Sequence, residues 1–334
     1  MSHRASRVAM LAALVGVLAL LAGCGQNVDL GKSVSTRTSV PAGGPDNGPP
    51  PAPPGPNDPV FSPDRLRTLD PCGLIDQDLL KTWGTPARNY LGGYIQCSNF
   101  MKDQNNKSLS VTIYTGQNYT AEMKDATKNI EGIPARVNQS PGSTACFVDL
   151  VVSVDPPRSV RIQTDYSNGD PCSIGRKVAQ SVVKRLRAGT QPWDAPAGST
   201  VRVDPCTLVD EASANLALGG VPKLRPYELH QCNWQSPQGS SRVTVILDLG
   251  TDPNKSTTSS AGVPVDLGGV KVFQKLEQSS YAKCEVTWAH RAAANGKAEL
   301  VSVSLYRSPM VANEDVCGKT HNLARLVMSK LPKA

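Results

Sequence analysis

Two stretches lying far apart in the chain alternate apolar and polar residues in the same way. Leu109, Val111 and Ile113 form one series, and Val243, Val245 and Leu247 the other. A period of two predicts a strand with one buried face. Two later stretches keep apolar residues at i, i+3 and i+4, the pattern of a helix buried on one side. These are Ile174, Val178, Val182, Val183 and Leu186, and then Leu323, Leu326, Val327 and Leu331. Between strand and helix, further strands are predicted around Cys146 (Ala145 to Val154) and Cys284 (Lys283 to Ala289), and again at Ser159–Thr164 and Glu299–Tyr306.

The openings of the two series match as well. Asp70-Pro71-Cys72-Gly73-Leu74-Ile75-Asp76 corresponds to Asp204-Pro205-Cys206-Thr207-Leu208-Val209-Asp210. The second Asp of each is placed as an N-cap. A helical pattern follows (Leu79, Leu80, Trp83; Ala214, Leu216, Leu218) and stops at Gly84 or Gly219, as at a C-cap glycine. Gln96-Cys97-Ser98-Asn99-Phe100 then matches Gln231-Cys232-Asn233-Trp234, and the aromatic after each cysteine is assigned to the core. Both halves also keep Gly-Ile/Val-Pro, at Gly132-Ile133-Pro134 and Gly262-Val263-Pro264. The expected class is α+β. It consists of two tandem disulfide-stapled units, each an antiparallel sheet covered by an N-terminal and a C-terminal helix.

Ahead of the units the pattern changes. His3, Arg4 and Arg7 precede an apolar run from Val8 to Leu21, and Leu21-Ala22-Gly23-Cys24 reads as a lipobox. That run is shorter than the ~20 apolar residues of a spanning helix and fits the h-region of an export signal. Cys24 is therefore the expected lipidation site. Acyl chains there would hold the protein at the cell membrane, on the extracytoplasmic face. From Gly25 to Pro63 the chain is polar and then crowded with proline, which favours extended polyproline conformations at ~3.1 Å per residue. The domain reading is signal 1–24, tether 25–63, first unit 64–190, linker 191–203 and second unit 204–334.

Nine cysteines sharpen this picture. Apart from Cys24, four fall in each unit: Cys72, Cys97, Cys146 and Cys172, then Cys206, Cys232, Cys284 and Cys317. An even number in an exported chain argues for bridges. Four cysteines allow three connectivities per unit, and sequence alone selects none of them. The pairing taken as the expectation is 72–97, 146–172, 206–232 and 284–317. A loop of about twenty-five residues closed in this way is worth ~3.5 kcal/mol in the chain-entropy account. Zinc is disfavoured because no CxxC pair occurs, and no metal or cofactor is expected.

The lipobox, the tether, Asp-Pro-Cys-x-Leu, Cys232-Asn233-Trp234 and a late cysteine before the final helix resemble a family of actinobacterial putative lipoproteins. That family is catalogued as a domain of unknown function, number 3558. The resemblance covers about 68–188 and 202–332, as two tandem copies, with the second unit the better match. It implies an envelope location and carries over no functional residues.

Chemistry is sparse. The chain beyond the signal holds His230, His290 and His321, and neither HExxH, GxSxG, GxGxxG nor a P-loop occurs. His230 is expected on a strand, and His321 is expected solvated. Asp70, Asp170, Asp204 and Asp315 each lie one or two residues before a cysteine, where capping accounts for them. Without residues 1–23 the chain carries 33 basic against 28 acidic residues, and the excess forms no dense run. That balance does not fit nucleic-acid binding. The expectation is a non-enzymatic binding, scaffold or sensor module for an envelope protein, glycan or lipid. The cleft between units, bridged by Gln191-Pro192-Trp193 to Thr200, is the place to look, with Trp193 as an inter-domain contact. A lipid or small-molecule carrier is the alternative. An envelope hydrolase would need His230 or His290 to meet a Ser and an Asp.

Overall fold

A computed structural model describes residues 58–119, 125–256 and 262–334. Cys24 and nearly all of the proline-rich tether lie outside them. The first antiparallel sheet comprises β1 (Gly84–Thr85), β2 (Tyr90–Gly93), β3 (Gln96–Asp103), β4 (Ser108–Asn118), β5 (Lys128–Ile130), β6 (Ile133–Asn138), β7 (Ala145–Val154) and β8 (Pro157–Tyr166). The second comprises β9 (Lys223–Glu228), β10 (Gln231–Gln235), β11 (Arg242–Thr251), β12 (Val263–Asp266), β13 (Lys271–Gln278), β14 (Ala282–Ala292) and β15 (Lys297–Arg307). The first runs β2-β3-β4-β8-β7-β6-β5, with β1 also on β3, and the second runs β9-β10-β11-β15-β14-β13-β12. Strand for strand the two orders are the same.

The helices are few. α1 (Pro63–Arg67), α2 (Gln77–Lys81) and α3 (Pro171–Ala188) belong to the first half, and α4 (Glu211–Leu218) and α5 (Val316–Lys330) to the second. The closing helices do cover the sheets: α3 lies on β7 and β8, and α5 on β14 and β15. Their periodic residues Val178, Val182, Leu186, Leu323 and Val327 are all buried. The opening helices do not match that cover. α2 is a five-residue turn, and Gly84 begins a strand and does not cap a helix. α4 is longer and does stop at Gly219, in the left-handed region at φ 75°. Asp76 and Asp210 cap as placed, accepting from Leu79 N and Ser213 N.

The disulfides join Cys72 to Cys97, Cys146 to Cys172, Cys206 to Cys232 and Cys284 to Cys317. In each half one bridge ties the opening Asp-Pro-Cys turn to β3 or β10, and the other ties β7 or β14 to the closing helix.

The core aromatic and the end of the tether also need correction. Phe100 is 60% exposed, whereas Trp234 is 3% exposed. Phe100 stands three residues after its cysteine and Trp234 two, and in a strand that difference of one reverses the face. The position matching Trp234 is Asn99, fully buried and donating to Ala87 O at 2.7 Å. Phe61, assigned to the end of the tether, is buried in the first core.

Candidate functional site

Two apolar cores form, one per half, and each contains one residue from the other half. Tyr94 precedes Cys97 by three residues and lies in the second core, while Leu229 precedes Cys232 by three and lies in the first. The strand contacts are reciprocal in the same sense: β2 lies against β11, and β9 lies against β4. Asp248 on β11 accepts from Tyr94 N at 3.3 Å. At the equivalent position of β4 stands Gly116, where an added Cβ would come within 2.3 Å of Leu229 Cδ1. A glycine there lets a leucine enter where the other half admits a tyrosine. Exchange of equivalent elements with roles reversed is what a two-fold relation produces.

Polar groups bury themselves at the same junction. Arg67 donates from Nε to Leu229 O at 3.0 Å and reaches Asp204 at 3.3 Å, so the start of the first half is pinned to the second. Glu299 accepts from Ser199 Oγ at 2.7 Å, Thr200 N at 2.7 Å and Thr200 Oγ1 at 3.0 Å. Tyr94 Oη pairs with Thr200 Oγ1 at 2.8 Å, and burial pushes that hydroxyl well above its ordinary pKa. Arg158, which matches Glu299 in strand register, is 5% exposed, and its Nε and Nη1 have no partner among the described residues. Burial, then the neighbouring Arg67, lowers its pKa.

Beside Tyr94 and Glu299 a cleft of about 660 Å³ opens between the halves. Tyr90 and Leu91 come from β2, Trp193 and Val201 from the connecting segment, Leu249 from β11 and Ala292 from the end of β14. Trp193 donates its backbone N–H to Thr68 O at 2.7 Å, its indole N–H has no partner among the described residues, and its ring meets Tyr94 edge-on with centroids 6.1 Å apart. Lys297 crosses the cleft, donating to Leu91 O and, at 3.3 Å, to Gly92 O, with Nζ 5.0 Å from the Tyr90 centroid. Arg88 and Arg291 complete the cationic lining, and Asp194 stands exposed at the rim.

The histidines are dispersed. His230 occupies the tight turn between β9 and β10, not a strand; its Nε2 faces Arg67 O at 3.2 Å and its ring lies 4.8 Å from Tyr94. Burial first, then the charge of Arg67, lowers its pKa to about 3. His290 bonds Gly198 O at 3.1 Å. His321 is half-buried and bonds Gln274 Oε1 at 2.7 Å, so it is not free in solvent. Asp70, Asp170, Asp204 and Asp315 each accept a backbone N–H two or three residues on. A feature with no sequence signal is the buried Asp149, which takes Arg161 at 2.6 Å across β7 and β8. Among the described residues no group of three His, Cys, Asp or Glu could hold a metal ion.

Fold and cleft together define a disulfide-bridged protein of mixed helix and sheet, with two antiparallel sheets of matching strand order. Residues 19–185, half of the chain, match the family described as Protein of unknown function (DUF3558), and the chain belongs to that family. The match falls on the first half, although the cysteine-aromatic motif looked better preserved in the second. No curated protein matches. Among solved structures, the immunity protein TplEi of the T6SS from Pseudomonas aeruginosa, complexed with an "L" peptide, is similar at 8% identity and a TM-score of 0.28. That similarity covers 73% of this chain and 97% of the other, and at such a score it bears on neither fold nor function.

Proposed function

We propose that this chain is an envelope lipoprotein that binds a small ligand, without catalysis, in the cleft between its halves. Cys24 would carry the acyl anchor at the extracytoplasmic face of the cell membrane, and the proline-rich tether would hold the cleft away from the bilayer. On this reading residues 204–334 are a second copy of the family's domain, supported by the shared strand order and the matched bridges.

The observation that carries the reading is the cleft, whose volume of about 660 Å³ falls within the ~300–1,000 Å³ usual for ligand sites. Its walls come from both halves, and three cations are among its lining. The non-enzymatic part is supported by the histidines, each hydrogen-bonded to a carbonyl or an amide rather than to Ser or Asp. Native mass spectrometry of the protein gently extracted from its own membrane tests the ligand. A discrete small-molecule adduct is expected, reduced in an Ala292→Trp variant that narrows the cleft mouth. A bare mass, or the mass of a whole partner protein, refutes it. Cys24→Ser should move the protein out of the membrane fraction, and unchanged fractionation refutes the anchor.

A further inference from the structure

Three cations line the cleft, and unlike the paired arginines of the fold they meet no carboxylate among the described residues. Arg67, Arg161 and Arg307 each reach a carboxylate within 3.3 Å. Arg88, Arg291 and Lys297 form no ion pair among the described residues. Arg291 has one carbonyl, Ala197 O at 3.3 Å, and Lys297 has two carbonyls and the Tyr90 face. Carbonyl oxygens and a ring satisfy donors without cancelling charge.

The acids of the cleft offset the cations only in part: against Arg88, Arg291 and Lys297 the lining holds two carboxylates, Glu299 and Asp194, an excess of one positive charge. Glu299 is tied back by Ser199 and Thr200, and Asp248 lies within electrostatic reach of Lys297, so Arg88 and Arg291 are the cations left facing the cleft without a nearby acid partner among the described residues. Between the cations the surface is apolar: the rings of Tyr90 and Trp193, then Leu91, Val201 and Leu249. Cations interleaved with apolar surface complement a molecule with an acidic head and a hydrocarbon or aryl body.

We propose that the ligand of this cleft is a small amphipathic anion, a phosphate or carboxylate carried on one acyl or aryl group, with Arg88 and Arg291 holding the head and Tyr90, Trp193 and Leu249 the body. This rests on the cleft being the binding site. A neutral sugar would leave the cations unpaired, and a cationic amphiphile would be repelled.

The test uses the oxidised chain from Pro51 onward, which contains all four bridges. Isothermal titration compares octyl phosphate with octyl glucoside and octyltrimethylammonium below their micellar concentrations. Octyl phosphate should bind roughly tenfold tighter than either, an advantage of about 1.4 kcal/mol that shrinks as salt is raised. The Arg88→Ser/Arg291→Ser double variant should lose that advantage while leaving binding of octyl glucoside unchanged. If all three amphiphiles bind alike and Ala292→Trp blocks all of them, the anionic class is overturned and the cleft stands. If Ala292→Trp blocks nothing, or if no amphiphile binds, the cleft itself is the wrong site and both readings fall.

Discussion

Leu229 belongs by sequence to the second half and by packing to the first. Truncating it should therefore weaken the half in which it does not reside. The side chain is fully buried in the first core, close to β4 at Gly116. Leu→Ala at such sites costs about 2–5 kcal/mol, the larger values where the walls cannot collapse. Here the side chain is fully enclosed in the first core, close to Gly116 of β4, so a loss of about 3 kcal/mol is expected for Leu229→Ala, or roughly 6 °C or more in Tm for a chain of this size. Hydrogen exchange read by mass spectrometry on the oxidised protein locates the damage. Peptides of β4 and α1 should exchange faster, by a larger factor than peptides of β13 and β14. A second perturbation checks the contact itself. Gly116→Ala forces a Cβ to within 2.3 Å of Leu229 Cδ1 at a residue with φ of 70°, and should cost at least about 2 kcal/mol. Part of that cost should vanish in the Leu229→Ala background, where the steric portion is gone and the backbone portion remains. Damage confined to the second half, or strict additivity of the two substitutions, refutes the exchange of residues between cores.

Other consequences can be checked by denaturation. Arg158→Met replaces a buried guanidinium whose Nε and Nη1 have no partner among the described residues, so stability should stay level or rise by about 1 kcal/mol; a loss above that size refutes the unpaired state. Glu299→Gln sets an amide donor among the three donors from Ser199 and Thr200 and should cost about 2 kcal/mol, detected as a lower urea midpoint with an unchanged slope. His230 has a folded pKa of about 3 against an ordinary 6.5, so between those values the unfolded chain binds the extra proton. Its contribution is complete above pH 6.5 and declines as pH falls towards 3, with a limiting slope of about 1.4 kcal/mol per pH unit. His230→Gln should flatten the stability profile between pH 6.5 and 5, and an unchanged profile there refutes the buried neutral imidazole.

What the sequence made legible is what periodicity encodes. The closing helices and the long central strands carry one buried face each, and their residues alternate or recur accordingly. The eight cysteines pointed to bridges by their number and their repeated order. Edge strands were missed because they have little to bury: β12 has no buried residue and β9 has none either, so no alternation marks them. The aromatic after Cys97 misled because identity was matched across the halves while strand parity was not. The junction was harder still. Nothing local distinguishes Leu229 from an ordinary core leucine of its own half, and Glu299 reads as a surface acid until Ser199 and Thr200 are brought to it from a hundred residues away. The cleft was anticipated only as a place, between the halves near Trp193; the residues that give it character, Arg88, Arg291 and Lys297, lie on segments with no motif.

The exchange of Tyr94 and Leu229 also bears on what one chain with two matching halves can do that a pair of identical chains cannot. Any substitution in a homodimer is made twice, once on each side of the axis, so an acid and a base cannot occupy the same position. Here one polypeptide holds both versions of the junction, with Glu299 at one and Arg158 at the other, and each side has been free to diverge alone. The acid gathers Ser199, Thr200 and Tyr94 beside an open cleft, while the base sits buried next to Arg67. Covalent linkage thus lets the two junctions differ: one is a buried fastening, and the other opens onto the cleft proposed to bind a ligand.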